Sequence, residues 1–97
     1  MVEISSDSSG RIEYRYGGKI EPIEKVYALL SLHLETAGRN SEFDVLFEDE
    51  VPFSYVANMR GILHQKGYLN IRFFVFSQSR QRMMEVTLGG SRPLPEQ

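Results

Sequence analysis

The sequence predicts a single α+β domain in which two helices cover one face of a β-sheet. Segments with apolar residues at every second position alternate with two segments whose apolar residues recur at helical spacing. At 97 residues, the chain is too short for two independent hydrophobic cores, and its 41% hydrophobic content is ordinary for a globular domain. We therefore expect one domain over 1–88 and a loose tail over 89–97, which is rich in Gly and Pro.

The first half of the chain predicts two strands and a helix. Met1–Ile4 is a short candidate strand, and the polar residues 5–10 predict a turn. Arg11–Tyr16 alternates charged and apolar residues, as a half-buried strand does. Pro22 suits the first turn of a helix and Gly38 its C-terminal end, with apolar residues at helical spacing between them.

The second half repeats this plan. We predict a strand at 43–47, a charged turn at 48–50, a helix from Pro52 to Gly67 and a strand at 70–76. Alternating apolar residues predict a last strand at 84–88. The side of the second helix that we expect to face inward comprises Phe53, Val56, Ala57, Arg60 and Leu63.

Period-two alternation assigns the strand residues to two faces. Right-handed crossovers between neighbouring strands put both helices on one side, so the other face should stay uncovered. The strand residues expected to face the helices are Ile12, Tyr14, Tyr16, Phe43, Val45, Phe47, Ile71, Phe73 and Val75. The residues expected to face away are Glu13, Arg15, Asp44, Leu46, Arg72, Phe74 and Phe76.

The uncovered face and the last strand are the candidate site. Leu46, Phe74 and Phe76 would form an apolar cluster of a kind that monomers usually avoid exposing, so we expect a homodimer. A free edge at Met84–Leu88 or at Val2–Ile4 could accept an extended segment by strand addition. The predicted partner-binding or dimer face comprises Leu46, Arg72, Phe74, Phe76, Met84, Val86 and Leu88.

Composition and motifs argue against catalysis. The chain has no cysteine, which excludes disulfides and Cys-type zinc sites, and His33 and His64 lie in different helices without metal-binding spacing. The run Gly17-Gly18-Lys19 is similar to the end of a phosphate-binding loop, but the earlier Gly of that motif and the Ser or Thr after the Lys are absent. No serine lies in a Gly-x-Ser-x-Gly motif. We expect no catalytic residue, no cofactor and no metal.

Nucleic-acid binding is weighed as an alternative. The net charge of −2 provides no overall attraction for a polyanion. The aromatic run 72–76 resembles the RNA-binding strand of an RRM, but it follows the second helix instead of preceding it. Arg72, Arg80 and Arg82 lie near these aromatics, so a cytoplasmic RNA- or ligand-binding α+β domain is the alternative function.

One stretch of the chain resembles a known family. The run Val45–Phe53, followed by Val56, Met59, Leu63 and Gly67, is similar to the signature of the periplasmic domain of the ExbD/TolR biopolymer-transport proteins. Upstream, the run Gly10–Tyr14, the pair Gly18-Lys19 and a Leu-rich helix are similar to that family's first half. The resemblance therefore covers roughly residues 2–76.

The resemblance implies a place and a set of partners. Members of this family sit in the bacterial inner membrane beside an ExbB/TolQ-like proton channel. Their periplasmic domains dimerise and engage a TonB- or TolA-like protein or the peptidoglycan. The longest apolar run here, at 71–76, is far short of the ~20 residues of a membrane span. Since the family's proton-carrying membrane helix has no counterpart here, we expect this chain to supply only the periplasmic recognition function.

Overall fold

The computed structural model describes residues 1–87 and confirms the α+β class. Leu88 and the tail predicted at 89–97 lie outside the described residues. The elements, in chain order, are β1 (Val2–Ser6), β2 (Ile12–Tyr16), β3 (Lys19–Glu21), α1 (Ile23–Ala37), β4 (Glu42–Glu48), α2 (Phe53–Lys66), β5 (Asn70–Ser77) and β6 (Arg82–Val86). The extra strands expected at both ends are present, and β3 is an additional strand that we did not predict from the sequence.

The strands form one mixed sheet in the order β3-β2-β1-β4-β5-β6. β4 pairs in parallel with both β1 and β5, whereas the outer pairs are antiparallel. The crossovers from β1 to β4 and from β4 to β5 advance in the same direction, so right-handed connections place α1 and α2 on the same side. Because β1 is central, the expectation that Val2–Ile4 forms a free edge is wrong.

Two glycine-containing turns build the N-terminal meander. Between β1 and β2, Asp7 Oδ1 accepts hydrogen bonds from the backbone N–H groups of Ser9 and Arg11, each at 2.9 Å. A hydrogen bond from the Ser9 hydroxyl, together with these two backbone bonds, lowers the pKa of Asp7. Between β2 and β3, Gly17 and Gly18 adopt φ values of 62° and 85°, which a type I′ hairpin turn requires.

The hydrophobic core lies between the sheet and the two helices. All nine strand residues expected to face the helices are buried in this core or packed against it, which confirms that assignment. From the helices, the core takes Val26, Leu30, Val56, Met59 and Leu63.

The predicted inward side of α2 is only partly right. Val56 and Leu63 are buried, but Phe53 is 60% exposed, and Ala57 and Arg60 are only partly buried. Met59, which we did not assign to the inward side, is buried as well. Val51 in the preceding loop is buried as well, so the core is closed there by the loop and not by the first turn of the helix.

Tyr68 links α1 to the segment that leads into β5. Its ring is fully buried and its hydroxyl donates a hydrogen bond to the Leu30 carbonyl at 2.7 Å. Because the hydroxyl has a single proton, His33 Nδ1, which lies 3.0 Å from the same oxygen, must be the donor of the second hydrogen bond. The His33 ring also packs edge-on against Phe43 at 5.2 Å. His33 is therefore part of the packing between α1, β4 and the segment before β5, and its Nδ1 carries a proton.

Replacing Tyr68 with Phe is expected to lower the free energy of unfolding by about 1–2 kcal/mol, because the His33 donor loses its partner. Burial, with a smaller contribution from Tyr16, raises the pKa of Tyr68 to about 12, against an ordinary value of 10.0. The neutral phenol is thus favoured in the folded state, and the wild type should lose stability between pH 10 and about 12. Urea denaturation at several pH values should show that Tyr68→Phe lacks this part of the pH-dependent loss of stability.

The matched control is Tyr55→Phe, since Tyr55 is 37% exposed on α2. It should change stability by less than about 0.5 kcal/mol. Equal effects of the two substitutions would contradict the structural role of the Tyr68 hydroxyl.

Candidate interaction surface

The sheet face opposite the helices carries no helix among residues 1–87, and we call it the open face. Strand register identifies its members, since residues directly opposite each other in paired strands point to the same side. One row runs Ile20, Arg15, Glu3, Leu46, Phe74 and Glu85 across all six strands. The flanking positions of the open face are Ser5, Glu13, Glu42, Asp44, Glu48, Arg72, Phe76 and Met83.

Four apolar side chains on neighbouring strands form an apolar strip: Leu46, Phe74, Phe76 and Met83. Leu46 lies opposite Phe74, and Phe76 lies opposite Met83. The first three are partly buried, Met83 is 56% exposed, and none of them contributes to the hydrophobic core of the described residues. A contiguous apolar group on an uncovered sheet face is typical of a binding surface.

The open face is more acidic than the chain as a whole. Counting side chains alone, six carboxylates and two guanidinium groups give it a net charge of −4, compared with −2 for the side chains of all 97 residues. The carboxylates belong to Glu3, Glu13, Glu42, Asp44, Glu48 and Glu85. Excess negative charge is therefore concentrated on the open face.

Arg72 is committed to contacts within the open face. Its Nε and Nη2 atoms donate to the two carboxylate oxygens of Asp44 at 3.0 and 3.2 Å, and Nη2 lies 3.6 Å from a Glu42 oxygen. The hydrogen bond with Asp44 raises the pKa of Arg72. The guanidinium carbon lies 5.3 Å from the centre of the Phe74 ring. Arg72 is thus oriented by its neighbours and shields one side of Phe74.

A depression of about 350 Å³ adjoins the apolar strip. Its walls include Glu3, Glu13, Arg15, Leu46 and Phe76, and the small side chain of Ser5 lies among them. Glu48 also lines it. The Glu48 carboxylate is held by the backbone N–H of Ser6 at 3.3 Å and by the side-chain amide of Gln78 at 3.1 Å. The depression thus combines apolar walls with three carboxylates and one guanidinium group.

β6 forms one edge of the sheet. β5 pairs with one side of it, and no strand within residues 1–87 pairs with the other. Its central residues Met83 and Met84 are 56% and 41% exposed. We call the unpaired side the β6 edge.

The structure brings together only part of the predicted face. Leu46, Arg72, Phe74 and Phe76 share the open face. Met84 and Val86 do not, because they lie opposite Val75 and Phe73 on the side of the helices. Leu88 lies outside the described residues.

Sequence analysis missed Met83 and Glu85 as members of the open face. The β5–β6 register, which places them opposite Phe76 and Phe74, depends on the connection in which Gln81 adopts a φ of 53°. Because Met83 and Met84 are consecutive apolar residues, the alternation of apolar and polar residues over 84–88 was not enough to identify the side.

Residues 1–87 contain no group of three or more His, Asp or Glu side chains placed to hold a metal ion. Over the same range, neither helix combines the length and the hydropathy needed to cross a bilayer. No protein-family model matches the chain, and no curated protein matches it. The similarity to ExbD/TolR proteins therefore rests on the residues named above.

The assignment of faces predicts different costs for two adjacent substitutions. Phe73 is 5% exposed in the core, so Phe73→Ala should cost about 3–5 kcal/mol of unfolding free energy. Phe74→Ala removes a side chain that is only partly covered on the open face and should cost no more than about 1.5 kcal/mol. Chemical denaturation of both variants tests this, and equal losses would show that Phe74 belongs to the core.

Proposed function

We propose that this chain is a recognition and dimerisation module of an ExbD/TolR-like component in a proton-motive-force-driven transport or envelope-maintenance complex. It acts on the periplasmic side of the bacterial inner membrane by binding a partner protein or peptidoglycan, and not by catalysis. The observation that carries the proposal is an exposed, apolar edge strand beside a sheet face that no helix within residues 1–87 covers. The family-like run Val45–Phe53 supports it, since it falls on a strand, a turn and the start of a helix.

The β6 edge is suited to strand addition. Edge strands of monomeric proteins are commonly protected by charged residues, proline or a covering element. In β6, charges occur only at Arg82 and Glu85, and the two exposed methionines lie between them. Backbone N–H and C=O groups on this edge could pair with an extended segment, which supplies affinity without a specific sequence.

A second copy is the simplest occupant of this edge. Two β6 strands related by a two-fold axis would pair antiparallel and extend the sheet into the neighbouring molecule. Centring the pair on Met84 lets all five residues of β6 take part and places Glu85 opposite Met83 of the other copy. Centring it on Glu85 would set two carboxylates against each other. We therefore assign the Met84-centred register.

The resemblance extends the proposal to other proteins of the complex. An ExbB/TolQ-like channel subunit and a TonB- or TolA-like protein would be the partners of the protein in the envelope. A photo-crosslinker at position 84 in cells should capture a second copy or such a protein, in proportions that change when a protonophore collapses the proton gradient. Capture that is identical with and without the gradient would contradict the link to proton-driven transport.

The absence of cysteine allows a clean test of the register. Met84→Cys should form a disulfide-linked dimer on mild oxidation, because directly opposed residues in antiparallel strands have Cα atoms about 4.5–5.5 Å apart, within disulfide range. Leu32→Cys, which is 57% exposed on α1, is the matched control and should stay monomeric on a non-reducing gel. Sedimentation of the wild type at hundreds of micromolar gives the independent measurement. A monomer there, with no Met84→Cys cross-link, would refute pairing at this edge.

A further inference from the structure

We propose that the open face docks a basic amphipathic helix of a partner protein. Its apolar stripe would lie on Leu46, Phe74, Phe76 and Met83, and its Lys and Arg side chains would lie among the surrounding carboxylates. This rests on the proposed role of the chain as a binding module. It does not depend on pairing at the β6 edge, which uses backbone groups and not this face.

The shape of the apolar strip fits a helix. The strip spans the three neighbouring strands β4, β5 and β6, which at about 4.8 Å between strands makes it about 10 Å wide. An α-helix with its side chains has a diameter of about 10–12 Å. A helix laid on a sheet is also how the opposite face of this domain is covered.

The charge of the open face determines which helix fits. A second copy stacked face to face would set a net charge of −4 against −4, and like-charge contacts suppress association. Self-association through this face, expected from its apolar residues alone, is therefore disfavoured. A phosphate backbone meets the same repulsion. A cationic partner meets attraction instead.

The carboxylates available to such a partner lie on both sides of the strip. Within the described part of the chain, Glu3, Glu13 and Glu85 have no Lys or Arg nitrogen within 4.0 Å, whereas Arg72 is already bound to Asp44. Glu3 and Glu13 lie on β1 and β2, and Glu85 lies on β6. A helix with basic residues flanking its apolar stripe would meet negative charge on either side.

The depression beside the strip can receive a long basic side chain. Its aliphatic stem would pack against Leu46 and Phe76 while its cationic head reached Glu13 or Glu48. Glu48 is oriented in advance by its hydrogen bonds from Ser6 and Gln78. This side of the face therefore offers a fixed acceptor next to apolar contact area.

The test uses an 18-residue fluorescent peptide with a Leu stripe and Lys on its other faces. Two companion peptides carry Glu in place of Lys or the same residues in scrambled order. Fluorescence anisotropy with the full chain at physiological salt should show micromolar binding of the Lys helix and at least tenfold weaker binding of both companions. Equal binding of the scrambled peptide would overturn the proposal. It would show that charge attraction alone accounts for binding, without an apolar stripe on one side of a helix.

Charge-matched variants locate the binding surface. Glu13→Lys combined with Glu85→Lys should weaken binding of the Lys helix at least tenfold. Glu24→Lys combined with Glu35→Lys makes the same net change on exposed positions of α1 and should change it less than threefold. Equal losses in the two double variants would overturn the proposal. The charge reversals lie on the surface, and circular dichroism checks that each variant is folded.

Two substitutions of apolar residues provide a second test of where the peptide binds. Phe76→Ser should weaken binding about tenfold, and Leu32→Ser on the exposed side of α1 should leave it unchanged. Submicromolar binding of a single-stranded RNA that Phe74→Ser abolishes would instead identify a nucleic-acid surface and overturn the proposal. Met84→Cys cross-linking separates the two proposals. If the Met84→Cys chain, with its open face unchanged, cross-links but does not bind the Lys helix, only docking on the open face is refuted.

Discussion

The parallel pairing of β4 with both β1 and β5 is the constraint on which the rest of this structure depends. Parallel neighbours must be joined by crossovers, and each crossover here carries one helix. Because both crossovers advance across the sheet in the same direction, right-handed connections leave no helix for the second face. The apolar side chains of the central strands on one side then meet α1 and α2. Those on the other side meet no other element of the described chain.

This constraint gives adjacent residues opposite roles. Phe73 packs in the core, and Phe74 lies on the open face against the guanidinium of Arg72. The helices are held to the sheet by apolar burial and by few polar contacts. Two polar contacts join the elements on this side of the sheet: the Tyr68 hydroxyl, in the segment before β5, donates to the Leu30 carbonyl of α1, and Lys66 of α2 donates to Ser31 of α1. Specific polar interactions are thus few where the core excludes water, while the open face concentrates charge.

The elements with strong periodicity and clear glycine or proline boundaries could be predicted from the sequence. β3 was missed because three residues are too few to show alternation. The Gly17-Gly18 hairpin signal could have indicated a strand after it. The sides of Met84 and Val86 could not be predicted, since the β5–β6 register depends on the conformation of the intervening connection. The net charge of −2 for the whole chain does not reveal that the open face is more negative. Only strand order combined with alternation separates the carboxylates by face.

The two proposed surfaces are compatible because they use different groups of the same strand. Pairing at the β6 edge engages backbone N–H and C=O groups in the plane of the sheet, whereas a helix on the open face contacts side chains that project from it. In the Met84-centred register, Glu85 of each copy lies opposite Met83 of the other, so the apolar strips of two copies would approach each other across the seam. Their negative potentials would add there as well. Edge pairing would therefore enlarge the surface offered to a basic helix, and a dimer should bind such a helix more tightly than a monomer does.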